Sequence, residues 1–218
     1  MQKIIFLLIL GLGLLTLTAC SLSRQTKQQA PALDISEQPQ AIEPIVLSDG
    51  EYKVNPETSR LAWQGNKLVA SHTGLISIKS GSIQVDNGVP TKASFIIDMK
   101  TITSDQNLDG LVKHLESSDF FDIATYPEAK LIVNTIQPGS SVNEYVLDGD
   151  LTIKEITAPV SLTARIINAD NGLEAQSQLI IDRTTWNIKF LSGKFFENLG
   201  DKMIDDEIKF DIKLQLAK

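Results

Sequence analysis

Ile208-Lys209-Phe210-Asp211-Ile212-Lys213-Leu214-Gln215-Leu216 alternates apolar and polar side chains without a break. Successive side chains of a strand point to opposite faces, so this stretch has one buried face and one wet face. The same period of two recurs upstream. Phe95, Ile97 and Met99 alternate with Ser94, Ile96 and Asp98, and Tyr145, Leu147, Gly149, Leu151 and Ile153 alternate with Val146, Asp148, Asp150 and Thr152. Val160, Leu162, Ala164 and Ile166 continue the habit. Turn signals at Asp86-Asn87-Gly88, Pro138-Gly139-Ser140 and Asp170-Asn171-Gly172 separate the runs. The last of these sits between two apolar runs and predicts a hairpin. One stretch breaks the pattern: Leu108, Leu111, Val112 and Leu115 are spaced by three and four, which predicts a single short helix over 107–117. About eight strands and one helix within 51–218 predict one all-β domain, an antiparallel sandwich or barrel. Eight strands closed into a barrel leave room for side chains or one small ligand, and closure removes exposed edges.

Composition narrows the function. The 218-residue chain is 42% hydrophobic and 22% charged with net charge −7, which fits a folded domain and excludes collagen-like or wholly disordered chains. Its pI near 4.9 offers nucleic-acid phosphates no basic stripe. The single cysteine, Cys20, excludes an intrachain disulfide and a cysteine-based metal knuckle. His72 and His114 are the only histidines and leave little room for a histidine-rich metal site.

The first 19 residues read as an address. A short basic start at Met1–Lys3 precedes an apolar stretch, Ile4 to Leu15, and then Leu17-Thr18-Ala19-Cys20. This order fits a secretory signal, and the apolar stretch is short for a membrane span. Leu17-Thr18-Ala19-Cys20 resembles the bacterial lipobox. The resemblance implies cleavage before Cys20 and acylation (palmitate among the chains) of that residue. Acyl chains anchor at about 0.8 kcal/mol per buried CH₂. Cleavage removes only Lys3 among charged residues, so an acidic body remains and the lipid itself must do the anchoring. Serine at position 21, where aspartate would signal retention, resembles outer-membrane lipoproteins facing the periplasm. Residues 20–50 carry several glutamines and prolines, no aromatic and no sustained periodicity, which reads as a flexible tether. A coil of that length spans roughly 30 Å and stretches to about 100 Å. Ile42 to Leu47 is a candidate short strand or docking segment within it.

The body resembles the YceI family, lipid- or polyisoprenoid-binding barrels of lipocalin-like shape. The pieces that carry the resemblance stand in order. They are Trp63-Gln64-Gly65-Asn66-Lys67 before His72-Thr73-Gly74, Phe95 to Ile102, Leu111 to Leu115, Ser118-Asp119-Phe120-Phe121-Asp122, Tyr126-Pro127-Glu128-Ala129, Gly149 to Thr157, Ile181-Asp182-Arg183-Thr184 with Trp186-Asn187-Ile188, and Ile204 to Ile208. One departure is Lys154-Glu155, where a glycine is common, which argues against a tight turn there. The resemblance implies an elongated apolar cavity holding an isoprenoid, quinone tail or fatty-acid derivative. Wall candidates are the inward-phase residues Leu61, Trp63, Phe95, Ile97, Leu147, Leu151, Phe210 and Ile212, with Phe120, Phe121 and Phe190 closing an end. Trp63 reads best as a floor, and Arg183 as a structural cap stacked on an indole rather than a headgroup partner. Pairing as a homodimer is a further implication of the resemblance.

Residues 105–116 match the EF-hand spacing, with Asp105, Asn107, Asp109, Gly110 and Glu116 at the required positions. An EF-hand also needs a helix before its loop, whereas 93–102 reads as a strand. The preferred reading is a helix entrance capped by Asp105 or Asn107, and no metal is assigned. Neither histidine shows a nucleophile partner, and no Gly-x-Ser-x-Gly elbow or phosphate loop appears. The expectation is therefore a non-enzymatic, membrane-tethered lipid-binding barrel in the cell envelope. The alternative is a solidly packed barrel that serves as an interaction or stress module.

Overall fold

The computed structural model describes residues 43–218; the signal segment, Cys20 and the tether up to residue 42 lie outside the described residues. Nine strands and one α-helix follow in order: β1 (Gly50–Val54), β2 (Arg60–Lys67), β3 (Ala70–Asp86), β4 (Val89–Asp98), α1 (Asp109–Glu116), β5 (Glu128–Pro138), β6 (Glu144–Ile153), β7 (Ile156–Ala169), β8 (Gly172–Asp182) and β9 (Ile204–Ala217). Every pairing is antiparallel, and β3 against β4 closes the sheet. The ninth strand does not widen the barrel. β1 and β2 both lie between β3 and β9, β1 on Ser82–Val85 and β2 on Ala70–Ile76. They fill one ladder position interrupted at 55–59, so the closed barrel has eight positions, as the periodicity predicts.

Alternation maps onto the wall as read. In β9, Ile208, Leu214 and Leu216 are buried and Phe210 and Ile212 half-buried, while Lys209, Asp211 and Lys213 face outward or partly so. Hairpin chemistry sets the short connections. Asn87 and Gly88 both take positive φ (54° and 76°) between the paired Asp86 and Val89, the left-handed pair that suits the twist of a two-residue hairpin. The predicted Asp170-Asn171 hairpin forms, with Ala169 paired to Gly172.

Three local expectations are corrected. The turn at Lys154-Glu155 is tight after all: Ile153 pairs with Ile156, and both turn residues sit at positive φ, 51° and 59°. Neither is glycine, so the conformation is strained. Lys154 Nζ helps hold it by donating to Phe120 O at 2.8 Å. Helix α1 is shorter than 107–117, and its N-cap is Leu108, without any side-chain cap. Asp105 instead donates its backbone N–H to Thr73 O, and Asn107 adopts a left-handed φ of 52°. Finally, the body begins before residue 51, with the docking alternative for 42–47 realised over 43–47 and the strand alternative not. Residues 43–48 form no strand but are docked: Ile45 N donates to Asn143 Oδ1 (2.8 Å), Asn143 Nδ2 donates to Glu43 O (3.0 Å), and Leu47 is only 4% exposed.

Candidate functional site

The barrel's two ends differ. Antiparallel topology gathers the turns 87–88, 139–143 and 170–171 at one end, together with the docked segment 43–48. Gly88 N donates to Asp49 Oδ1 at 2.8 Å, and Asn143 holds the segment from the β5–β6 turn, so the segment is stitched to two hairpins. Leu47 packs into the core at that end. The opposite end carries turns 68–69 and 154–155, the long connection 99–127 with α1, and the long connection 183–203.

A cavity of about 200 Å³ lies inside. Its wall is apolar. Leu61, Trp63, Phe95, Ile97, Leu147, Leu151, Phe210 and Ile212, all read from the sequence as inward-facing, line it, and so do Phe120 and Phe121. Phe190 does not. It packs edge-on against His114 (centroids 4.5 Å apart) and tilted against Phe120 (5.8 Å), so it backs Phe120 from outside the wall. The sequence reading missed other wall positions, notably Ile76 and Ile78 of β3 and Leu131 of β5. Their signal was present, because Ile76 and Ile78 alternate with Ser77 and Lys79. Leu111 and Leu115 bring one side of α1 to the cavity, which accounts for the helical spacing there.

Charged side chains reach the cavity near one end only, while Tyr145 borders it near the other. Asn66, Lys67, His72 and Asp205 border it with Gly65 and Ile204, where β2 and β9 lose register between Gly65 and Lys67. A hydrogen bond joins His72 Nδ1 to Gln106 Oε1 at 2.8 Å, tying β3 to the loop before α1. This half-buried rim is the mouth.

Trp63 lines the cavity at the rim end, two residues before Gly65, rather than as a floor beneath the barrel. It is 7% exposed, and its Nε1 donates to Thr103 O at 3.1 Å. Residues 101–105 run along β3 beside it, with Thr103 N donating to Leu75 O and Asp105 N to Thr73 O. Gly74 allows this approach, since a Cβ there would fall 1.8 Å from Thr103 O and 2.8 Å from Trp63. The second tryptophan, Trp186, is fully packed and donates from Nε1 to Leu151 O at 3.0 Å.

Arg183 borders the cavity yet is 1% exposed. Its aromatic partner is the Phe120 ring, 5.9 Å from the guanidinium carbon, and not an indole. Nε donates to Asp205 O (3.0 Å), Nη1 to Ile188 O (2.9 Å) and Nη2 to Ile204 O (3.0 Å). Burial lowers its pKa and the Asp206 carboxylate opposes that, with Asp206 Oδ1 3.3 Å from Nη2. An arginine stays charged across this range. Its donors are spent on backbone carbonyls, so it staples the 183–188 turn to the start of β9. Among the described residues, no cluster of three His, Cys, Asp or Glu side chains is placed to hold a metal ion. The 105–116 stretch forms a loop bonded to β3 followed by α1.

These features define a class: a small closed antiparallel barrel with an apolar interior and a charged rim at one end. Within it, the YceI-like domain family model matches residues 52–216, and the chain belongs to that family. A UPF0312 protein of Photorhabdus laumondii is 33% identical over 141 residues, covering 61% of this chain and 68% of the relative. A UPF0312 protein of Pseudomonas putida is 31% identical over 119 residues, and the match spans 60% of that relative's length and 52% of this chain. Two solved structures share the fold. BcnA of Burkholderia cenocepacia superposes with a TM-score of 0.62 at 20% identity, covering 76% of this chain and 99% of its own. A polyisoprenoid binding domain from Saccharophagus degradans, implicated in plant cell wall breakdown, gives 0.57 at 14% identity, over 76% and 97%.

Proposed function

We infer that the protein is a binding protein that holds a long-chain lipid, an isoprenoid, quinone or fatty-acid derivative, in its barrel. The observation that carries this reading is the apolar cavity with its charged rim at one end. An apolar volume near 200 Å³ costs about 5 kcal/mol when nothing fills it, at roughly 24 cal/mol per Å³. That is comparable with the whole stability of a domain, so an apolar occupant is strongly favoured. Water is a poor filler, because it needs polar partners that this wall lacks. The family membership and the polyisoprenoid-binding neighbour support the same ligand class.

The lipobox-like Leu17-Thr18-Ala19-Cys20 supports a lipid anchor at Cys20, and Ser21 supports the outer membrane, with the barrel in the periplasm. The protein then stores or shuttles its lipid close to the bilayer and performs no chemistry on it. Native mass spectrometry of the detergent-free protein, followed by organic extraction, tests the reading. A co-purifying mass that extracts as lipid is expected, and the same spectrum reads any pairing into dimers. Ala93→Phe, which pushes a ring into the cavity, should abolish that mass without unfolding the barrel. An apo mass that takes up no quinone or fatty amide would point instead to an interaction module.

A further inference from the structure

We propose that the mouth end of the barrel docks on a lipid bilayer through two apolar tips, Leu68-Val69 of the β2–β3 turn and Phe195-Phe196 of the 183–203 connection. The proposal rests on the lipid-carrier reading above. Leu68 and Val69 are 63% and 75% exposed, and Phe195 and Phe196 are each 48% exposed. Single apolar side chains are exposed at the other end too (Val46 92%, Val89 42%, Val142 43%), but among the described residues only these two tips set two large exposed apolar residues side by side, the kind of patch that something covers. Both tips belong to the end that carries the mouth. Leu68 directly follows Lys67 of the rim, and the 183–203 connection is fastened to it by Ile204 N donating to Leu191 O at 3.0 Å.

Three observations favour a bilayer over a second protein. First, the tips flank the charged rim of a greasy cavity, and a long-chain lipid barely dissolves in water, so it must enter from a membrane. A protein lid seated on the mouth would block that route. Second, a lysine stands beside each tip, although Asp205, Asp206 and Glu207 lie at the same end. Residues 189–203 carry Lys189, Lys194 and Lys202 against Glu197 and Asp201, and Lys67 stands beside the other tip, in a chain of net charge −7. Lys194 is engaged by Asp182 and Asp206. Lys189 lies over the Phe195 ring at 4.7 Å, an arrangement in which the phenyl can enter the headgroup layer while the ammonium reaches phosphate. Third, the chain before Glu43 leaves from the plugged end. Residues 20–42 can extend about 75–80 Å at roughly 3.3–3.6 Å per residue, enough for a barrel tethered at its far end to turn its mouth to the same membrane.

The test places a polarity-sensitive thiol label at Val69→Cys, Phe196→Cys or Val142→Cys in turn. Val142 is exposed at the plugged end. The full chain is reconstituted into phosphatidylethanolamine–phosphatidylglycerol vesicles, and the unsubstituted chain provides the background from Cys20. Labels at 69 and 196 should shift to the blue and be quenched by brominated acyl chains roughly threefold or more above the label at 142. Equal, water-like emission at all three sites would overturn the proposal. So would a blue shift that ignores brominated lipid and grows with protein concentration, which would mean contact with a second copy. In parallel, Leu68→Asp with Phe196→Asp should slow transfer of a fluorescent fatty amide from vesicle to barrel by about tenfold, with the melting midpoint and extracted-lipid load unchanged. An unchanged rate would also overturn it. The two readings fail separately: dipping tips without extractable lipid would refute the carrier, and a loaded barrel with water-facing tips would refute docking alone.

Discussion

The two ends of the barrel are built from the same strands and solve opposite problems. At the plugged end, the connections are short hairpins, and residues 43–48 lie across them with Leu47 pressed into the core. At the mouth end, two long connections bring in α1, Arg183, Phe120 and Phe121, and the β2–β9 ladder slips beside Gly65. Short turns satisfy their backbone groups locally and leave little to move. Long connections must be held by side chains, and that is where the buried guanidinium, the Trp63 indole bonded to Thr103 O and the paired apolar tips occur. Closure and access thus rest on different interactions: local turn geometry and the packing of Leu47 on one side, a polar staple and loop packing on the other.

That contrast can be broken at either end. The largest effect is expected from Arg183→Leu, which frees three backbone carbonyls and leaves the Asp206 carboxylate without its guanidinium. Loss of a buried charge partner costs about 3–5 kcal/mol, to be read from urea unfolding, and the mouth end should lose hydrogen-exchange protection first. Gly74→Ala comes next at about 3 kcal/mol, because the new Cβ meets Thr103 O and no flexible side chain can yield. At the plugged end, Leu47→Ala should cost about 2 kcal/mol and speed the escape of bound lipid, while Gly74→Ala disturbs the mouth. If Leu47→Ala leaves escape unchanged, the plugged end does not act as a barrier. A stabilising change is expected at Glu155→Gly, which relieves one of two left-handed non-glycine residues and should add about 1 kcal/mol by thermal unfolding.

The smallest effect is the pH dependence that one carboxylate adds at the mouth. Burial raises the Asp182 pKa, but Lys194 and Thr184 together more than offset it, so the folded carboxyl titrates below its ordinary value. A depressed folded pKa contributes stability above the unfolded pKa, and that contribution is lost as pH falls through the folded one. Acidification below the usual carboxylate range should therefore loosen the 183–203 connection slightly. Asp182→Asn should remove that part of the acid sensitivity, as followed by hydrogen exchange of residues 189–203.

How much of this was legible differs between the same two regions. Alternation in β4, β6 and β9 named the wall residues Phe95, Ile97, Leu147, Leu151, Phe210 and Ile212, and the Asn87-Gly88 and Asp170-Asn171 turns announced their hairpins, because each depends on neighbours in the chain. Phe190 was misplaced for the opposite reason: it stands outside any alternating run, and only the fold put it behind Phe120 and His114. The same holds for Lys154-Glu155, where pairing of the flanking strands and the Lys154 contact to Phe120 O overrode the preference for glycine. Arg183 looked like a residue for stacking on an indole, yet its partners are carbonyls some twenty residues away and the Phe120 ring.

Sequence by itself determined the strand period, the short helix, the apolar phase of the barrel wall and the acidic character of the body. Those properties arise from side-chain order along one strand or one turn of helix. Tertiary structure alone decided that β1 and β2 share a ladder position, that Leu47 packs into the core at one end, and that the two paired apolar tips stand at the other. Each of these needs residues far apart in the chain to meet, and the closing of the sheet through β3 and β4 is what brings them together.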